Sequence, residues 1–192
     1  MSDHNILDDD LLTENTPPEI LPPLAGFWTR VGASLVDFLV MLPITGLGVY
    51  NLLSIKSLPL AVICMFIQPV YKIFMEGQYG ATLGKMATHI KVLGTDYAPI
   101  DMNQAVKRYS IYGINFLLSA VTTILLFSSY GFEEVTNFLT LGPQQAQAAG
   151  TMLNLLSQLS GLLVLVSVIF VAFDIRKQAL HDKIAGTLVV TK

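Results

Sequence analysis

The sequence predicts an all-α membrane protein, a four-transmembrane-helix bundle with both termini cytoplasmic and a short cytoplasmic C-terminal interfacial segment. Three observations support this fold class. Hydrophobic residues make up 53% of the 192 residues and charged residues only 13%, against about 45–50% and about 25% in soluble domains. Four apolar stretches are long enough to cross a bilayer, and the basic residues gather at one end of them.

Residues 1–24 form an acidic segment that we expect to be a disordered tail. They combine an aspartate run, Asp8 to Asp10, with two proline pairs and few large apolar side chains. Such a segment cannot bury enough apolar surface to fold. Residues 25–192 then form one membrane domain. Its single cysteine, Cys64, has no partner for an internal disulfide, and we expect a buried, inert thiol.

Four windows have the length of about 17–25 mainly apolar residues that a membrane-spanning helix needs. Pro43 and Pro69 lie inside the first two, where membrane helices tolerate proline if neighbouring groups satisfy the freed carbonyl. Tyr71 is placed to act as an interfacial anchor. The fourth helix is expected to begin before its window, because good helix formers follow Pro143. The windows are Phe27–Val49, Leu58–Met75, Ser110–Phe127 and Leu153–Phe173.

The distribution of lysine and arginine predicts the orientation. Of the eleven basic residues, Arg30 opens the first window, and nine others adjoin the connection between the second and third windows or follow the fourth. This leaves Lys56 alone on the opposite side. By the positive-inside rule, both termini and the central connection are therefore cytoplasmic.

The first window carries the leading functional candidates. Arg30, Ser34 and Asp37 share one helical stripe, whereas the opposite stripe, with Leu35 and Phe38, is apolar and suited to lipid. An ionisable group near the bilayer centre costs about 2.5–3.5 kcal/mol on insertion scales, so it usually persists because a pathway, a partner or a ligand uses it.

Asp37 lies deeper in the bilayer than Arg30, whose guanidinium is expected to extend to the cytoplasmic surface. Burial raises the pKa of a carboxyl group unless a cation or a donor compensates. We therefore expect Asp37 to bind a proton or a monovalent cation. The alternative is a structural hydrogen bond from Asp37 to a neighbouring helix.

Two further segments make a family resemblance specific. The run GATLGKMATHIKVL contains Thr82 and Lys85, and LHDKIAGTLVV contains Asp182. The chain resembles the RDD family of small bacterial membrane proteins, named for one arginine and two aspartates, which Arg30, Asp37 and Asp182 match. Thr82 and Lys85 resemble positions of the family's Gly-Thr-x-Gly-Lys segment. The resemblance implies a transport module of the bacterial cytoplasmic (inner) membrane, with sodium–proton exchange associated with some members.

Asp182 lies nine residues beyond Phe173, in a segment whose apolar spacing predicts a short helix on the cytoplasmic interface. We predict that it pairs with Arg30 as a latch above a free Asp37, so that exchanging the two charges restores what single changes destroy. A cap on nearby backbone amides is the alternative role for Asp182. His181 is a candidate to titrate near neutral pH and modulate the latch, although a lone interfacial histidine usually has no such role.

Glu76 and Lys85 are secondary candidates. They are placed to line a cytoplasmic vestibule, but a solvated, purely interfacial position is favoured for both. Residues 86–92 and 186–191 are rich in β-compatible side chains, and a short pairing between them fits the pattern.

The sequence favours membrane transport over other functions. With no nucleophile elbow, phosphate loop or paired general acid and base, we expect no enzyme, and we expect no cofactor, metal or nucleic-acid partner. The leading hypothesis is a secondary transporter of a cation, proton-coupled and including sodium–proton exchange, or of a small solute, with Asp37 as the ion site. The alternative is a non-transporting adaptor or assembly subunit that uses the charged stripe to bind another helix. The small size favours a homo-oligomer in the lipid bilayer.

Overall fold

The computed structural model describes residues 21–192, which are mostly helical. Four of the helices are long and apolar enough to cross a membrane, as the sequence predicted. We predicted that residues 1–24 form a disordered tail; residues 1–20 of this segment lie outside the described part of the chain. In chain order the elements are α1 (Phe27–Tyr50), α2 (Leu58–Tyr79), α3 (Leu83–Ala87), β1 (Ile90–Gly94), α4 (Met102–Phe127), α5 (Phe138–Phe173), α6 (Leu180–Ala185) and β2 (Thr187–Thr191).

Two long helices begin earlier than their apolar windows. α4 begins at Met102 rather than Ser110, because Asp101 caps it: the Gln104 amide N–H donates to Asp101 Oδ1 at 2.7 Å. α5 begins at Phe138, in keeping with the expected early start, and it is broken at Gly150, where φ is 70° and ψ is 171°. A hydropathy window does not include these first helical turns, because they contain polar residues although they are helical.

A buried asparagine shapes the connection between α1 and α2. α1 continues into a π-helical turn, Asn51–Ile55. The fully buried Asn51 side chain donates to the Ser57 carbonyl at 2.9 Å and accepts from the Ser57 amide at 3.0 Å. This connection and residues 128–137 lie at one end of the bundle, which we call the loop end.

The opposite end, which we call the sheet end, carries α3, α6 and a two-stranded antiparallel sheet. β1 pairs with β2 in the register Ile90 to Thr191 and Gly94 to Thr187, so the pairing that fits the sequence pattern is present. Leu24 adds a bridge to Val190. The chain just before α1 is thereby attached to its C-terminal strand, and the fold is helical apart from this small sheet.

Side chains at the lipid-facing surface of the bundle are apolar. Leu35 and Phe38, on the stripe expected to face lipid, are 60% and 56% exposed. Within the apolar window of each long helix, 6–17% of the residues are buried inside the bundle. Water would make such a surface unfavourable, whereas hydrocarbon accommodates it. The chain is a multi-pass membrane protein in which α4 packs against both α2 and α5.

Candidate functional site

Asp37 is held by three hydrogen bonds from α2 and from the chain that begins α3. The Tyr71 hydroxyl donates to Oδ1 at 2.9 Å, the Thr82 hydroxyl donates to Oδ2 at 2.6 Å, and the Gly84 N–H donates to Oδ1 at 2.8 Å. Hydrogen bonds to an ionised carboxylate are roughly twice as strong as neutral ones. We call these four residues the Asp37 clamp, because they fix α3 against α1.

The clamp requires a glycine at position 84. A Cβ atom there would lie 2.1 Å from the Ala33 carbonyl oxygen and 2.7 Å from Asp37 Cγ. Thr82 has a second role as the N-cap of α3, where its hydroxyl accepts from the Lys85 N–H at 3.4 Å. The segment from Thr82 to Lys85 therefore makes a close helix-to-helix contact, and Gly84 is needed for the approach.

A second polar site, the charge cluster, consists of Arg30, Glu76, Lys85, Arg108 and Asp182. Arg108 is its centre: Nε lies 2.9 Å from Glu76 Oε2, and Nη1 lies 2.5 Å from Asp182 Oδ1. The other carboxylate oxygens have their own cations, Lys85 Nζ at 2.5 Å from Glu76 Oε1 and Arg30 Nη1 at 2.5 Å from Asp182 Oδ2. The side chains of Arg108, Glu76 and Asp182 are at most 3% exposed.

The pair that the sequence predicted between Arg30 and Asp182 is present, and the alternative backbone role of Asp182 is present as well. Asp182 Oδ2 also accepts from the Ala179 N–H at 3.0 Å. Arg108 extends the network to β2, since its Nη1 donates to Thr187 Oγ1 at 2.5 Å. The cluster thereby ties α1, α2, α4, α6 and β2 together, and removal of one member of such a buried ion pair typically costs about 3–5 kcal/mol.

Burial and neighbouring charges set the protonation of the cluster outside the long helices. Desolvation acts to raise the pKa of Asp182, but Arg108 and Arg30 more than offset it and hold that pKa well below its usual range. Desolvation lowers the pKa of Lys85 to about 8 despite the opposing charge of Glu76. Asp182 is therefore ionised at neutral pH, whereas Lys85 loses its proton in mildly alkaline solution.

His181 does not titrate near neutrality, contrary to the role considered for it from the sequence. Desolvation lowers its pKa to about 3. Its Nδ1 lies 3.2 Å from Ser167 Oγ, and its Nε2 lies 3.3 Å from Asp182 Oδ1. A neutral imidazole at this position packs between α5 and the charge cluster and cannot serve there as a pH switch around pH 7.

Three cavities inside the bundle share Lys72 in their walls. The loop-end cavity, about 580 Å³, extends along α1, α2 and α4 and is lined in part by Gln68 and Asn115. The middle cavity, about 220 Å³, is lined in part by Asp37 and Gln68. The sheet-end cavity, about 310 Å³, is lined in part by Asp37 and Arg30. The cavities thus follow one another along the bundle, and Asp37 lies between the last two.

The model of the RDD family matches residues 24–186, a range that contains the Asp37 clamp and the charge cluster. The chain belongs to the RDD family. No curated protein and no solved structure matches it.

The RDD residues singled out from the sequence divide between the two sites. Asp37 and Thr82 lie in the clamp, and Arg30, Lys85 and Asp182 lie in the charge cluster. The prediction that Asp37 is free below the latch is wrong, because three donors occupy its oxygens.

Two other expectations for this RDD protein also require correction. Glu76 and Lys85 are not solvated: their side chains are 2% and 15% exposed, since Glu76 is drawn into the bundle by two cations. The short helix predicted around Asp182 exists as α6, but it packs on α4 with Asp182 fully buried rather than lying free on the interface. Ser34 remains beside the cavities, where its hydroxyl donates to the Arg30 carbonyl at 3.0 Å.

Three side chains were not predicted from the sequence as functional residues, although they lie in the two sites or line the cavities. Arg108 and Lys72 were counted for orientation, and Tyr71 was expected to be an interfacial anchor, whereas it is part of the Asp37 clamp. A signal for Arg108 was available. Arg108 adjoins the start of the third apolar window, where a charged side chain needs a compensating acid from another segment.

Proposed function

We propose that this RDD protein is a secondary transporter that moves a small solute through the cavities of its bundle, coupled to a proton or monovalent cation at Asp37. The observation that carries the proposal is the series of three cavities with Lys72 in common, which follows α1 and α2 from the loop end to the sheet end. Polar side chains inside a membrane bundle typically mark substrate and ion pathways. The sheet end faces the cytoplasm in this proposal, in line with the basic-residue distribution.

The Asp37 clamp supplies a physical link between ion binding and movement. A hydroxyl both donates and accepts, so Tyr71 and Thr82 can turn their oxygens toward a cation or a protonated carboxyl, whereas the Gly84 N–H can only donate. A proton or cation on Asp37 therefore weakens the hydrogen bonds that hold α3 against α1. The Gly84 bond is 2.8 Å long. In the proposed cycle this clamped arrangement is the closed one, and a proton or cation on Asp37 favours its opening.

The adaptor hypothesis is less well supported. It requires Arg30 and Asp37 to be available to a helix of another protein, but Asp37 accepts three hydrogen bonds within the chain and Arg30 contacts Asp182. A side chain already satisfied within its own bundle gains little from a partner helix, because the polar contact exists before association.

A flux assay in proteoliposomes tests the proposal. Purified protein is reconstituted with an imposed pH gradient, and uptake is measured for sodium, potassium and a panel of small organic anions and amines. We expect the wild type to move at least one of them in a manner that depends on the gradient. Asp37→Asn keeps the size of the side chain and removes its charge, so it should insert and lose at least tenfold in flux.

The matched control is Asp96→Asn, which makes the same chemical change on an exposed residue of the connection after β1. This variant should retain the flux of the wild type. Wild-type flux no greater than that of protein-free liposomes for every solute would refute transport and leave the adaptor. Full flux in a well-folded Asp37→Asn variant would refute the role of Asp37.

A further inference from the structure

Lys72 is a cation inside a membrane helix without a neighbouring anion. Among residues 21–192, no carboxylate oxygen lies within 4.0 Å of its Nζ. Its Nζ lies over the ring of Tyr112, 3.7 Å from the ring centroid. By contrast, Lys85 contacts Glu76 at 2.5 Å. A ring face stabilises an ammonium by about 2 kcal/mol when desolvated, which does not replace a counter-ion.

Lys72 lies well inside the membrane-spanning part of α2. Seven residues separate it from the end of the helix at Tyr79, which corresponds to about 10.5 Å at 1.5 Å per residue. Charges at such a depth are expensive and are normally paired. Of the carboxylates nearby, Glu76 has two cations of its own, and Asp37 accepts three hydrogen bonds from neutral donors without approaching Lys72 Nζ to within 4.0 Å.

The charges around this part of the bundle leave an excess of one positive charge. Four cations face three carboxylates, and Lys72 is the one of the four with no carboxylate within 4.0 Å among the described residues and the one that lines all three cavities. The cations are Arg30, Lys72, Lys85 and Arg108, and the carboxylates are Asp37, Glu76 and Asp182.

The loop-end cavity has the lining that a monoanion with an apolar body requires. No Asp or Glu is among its lining residues, and Lys72 is the one basic residue among them. Next to Lys72 along the helices, Gln68, Tyr109 and Asn115 supply polar groups. Toward the loop end the apolar side chains of Val49, Leu52, Ala61 and Met65 line the cavity together with the hydroxyl groups of Thr45, Ser119 and Thr123. Its volume of about 580 Å³ falls in the range of about 300–1,000 Å³ found for small-molecule sites.

We propose that the loop-end cavity binds a small organic monoanion, of the class of monocarboxylates, with its charged head on Lys72 and its apolar body toward the loop end. One ammonium matches one negative charge, which favours a monoanion over a dianion. Binding can be measured without transport. The further claim that this anion is the transported solute rests on the proposed function.

Binding is tested with three probes of one shape and different charge: sodium benzoate, neutral benzamide and benzylamine hydrochloride. Each is titrated by calorimetry into the full-length protein in detergent micelles at fixed ionic strength. We expect benzoate to bind at least tenfold more tightly than benzamide or benzylamine. Equal binding of benzoate and benzamide, or no binding of benzoate, would overturn the proposal.

Variants at Lys72 assign the charge to its source. Lys72→Met removes the charge at similar length and should weaken benzoate binding at least tenfold, whereas Lys72→Arg should retain it. Lys107→Met makes the same change at an exposed position of α4 and should bind benzoate as the wild type does. Undiminished binding by Lys72→Met would show that the anion binds elsewhere. If Lys72→Met fails to fold, the comparison of benzoate, benzamide and benzylamine on the wild type and on Lys72→Arg still decides whether the site binds a monoanion.

The native thiol locates the bound anion without engineering, because Cys64 is the single cysteine, is partly exposed rather than buried as the sequence predicted, and lines the same cavity. The anionic sulfonatoethyl methanethiosulfonate should modify Cys64 faster than the cationic trimethylammonioethyl reagent does. Benzoate should slow the modification by the anionic reagent at least threefold. A rate unchanged by saturating benzoate would place the anion outside the cavity. Benzoate binding without benzoate flux would refute the anion as transported solute, whereas cation flux without benzoate binding would refute this site and leave the proposed function standing.

Discussion

Replacement of Gly84 by alanine should separate α3 from α1. The added Cβ would lie 2.1 Å from the Ala33 carbonyl oxygen and 2.8 Å from the Asp37 amide nitrogen, whereas real Cβ atoms essentially never approach within 3.0 Å. Both neighbours are backbone atoms of a helix and cannot rotate away. α3 must therefore move outward by about 0.9 Å, the difference between 3.0 Å and 2.1 Å.

This displacement has a calculable consequence for the Asp37 clamp. It stretches the Gly84 to Asp37 hydrogen bond from 2.8 Å beyond hydrogen-bonding distance. A hydrogen bond to a charged group contributes about 1.5–3 kcal/mol, and overpacking adds about 1–3 kcal/mol. We expect a loss of about 3–5 kcal/mol in the free energy of unfolding, which corresponds to a decrease in Tm of about 10 °C for a chain of this size.

Thermal unfolding of the purified protein in detergent micelles measures the effect. Gly46→Ala is the matched control, because it lies in α1 with no atom within 4 Å of the added Cβ. It should change Tm by less than about 3 °C, since alanine favours the helix slightly. A Gly84→Ala variant that unfolds at the wild-type temperature would show that α3 does not approach α1 this closely.

Three other predictions concern the charge cluster. Arg108→Met should lower stability by about 3–5 kcal/mol and by more than Arg30→Met, since Arg108 contacts both carboxylates and is 3% exposed against 13% for Arg30; thermal unfolding of the two variants gives the comparison. Contrary to the expectation from the sequence, exchange of Arg30 and Asp182 should not restore stability, because the new arginine would lie beside Arg108 Nη1, now 2.5 Å from Asp182 Oδ1. Recovery in the double variant would contradict this contact. The pKa of His181 is lowered from 6.5 to about 3, so the unfolded chain binds a proton at higher pH than the folded protein does. Stability should therefore fall as pH decreases from about 6.5 toward 3, and His181 should contribute no pH dependence above pH 6.5. Tm measured against pH should be flatter in this range for His181→Gln, and an equal slope would refute the assignment.

The pH argument also corrects the latch hypothesis. A buried imidazole that stays neutral cannot add or remove a charge at Asp182 around pH 7. The cluster group that changes charge closest to neutrality is Lys85, with its pKa lowered to about 8. Glu76 keeps Arg108 as a partner at 2.9 Å when Lys85 loses its proton, so the cluster is weakened in alkaline solution rather than dissolved.

Local properties of the sequence were sufficient for the framework of the fold. The four spans follow from apolar length, since a bilayer requires about 17–25 such residues whatever their neighbours are. The charges of Arg30 and Asp182 were recognised because an ionisable group in or near an apolar helix needs compensation, and their pairing followed from their shared end of the bundle.

Tertiary structure decided what each polar group contacts. Arg108 became the centre of the cluster because α4 passes between α2 and α6, and Asp37 became a clamped carboxylate because Gly84 lets α3 approach α1. Within residues 21–192, Lys72 has no carboxylate within 4.0 Å, because Glu76 is paired with Lys85 and Arg108. Hydropathy and charge depend on residues one at a time, whereas desolvation and pairing depend on distances between segments far apart in the chain, and those distances exist only in the folded protein.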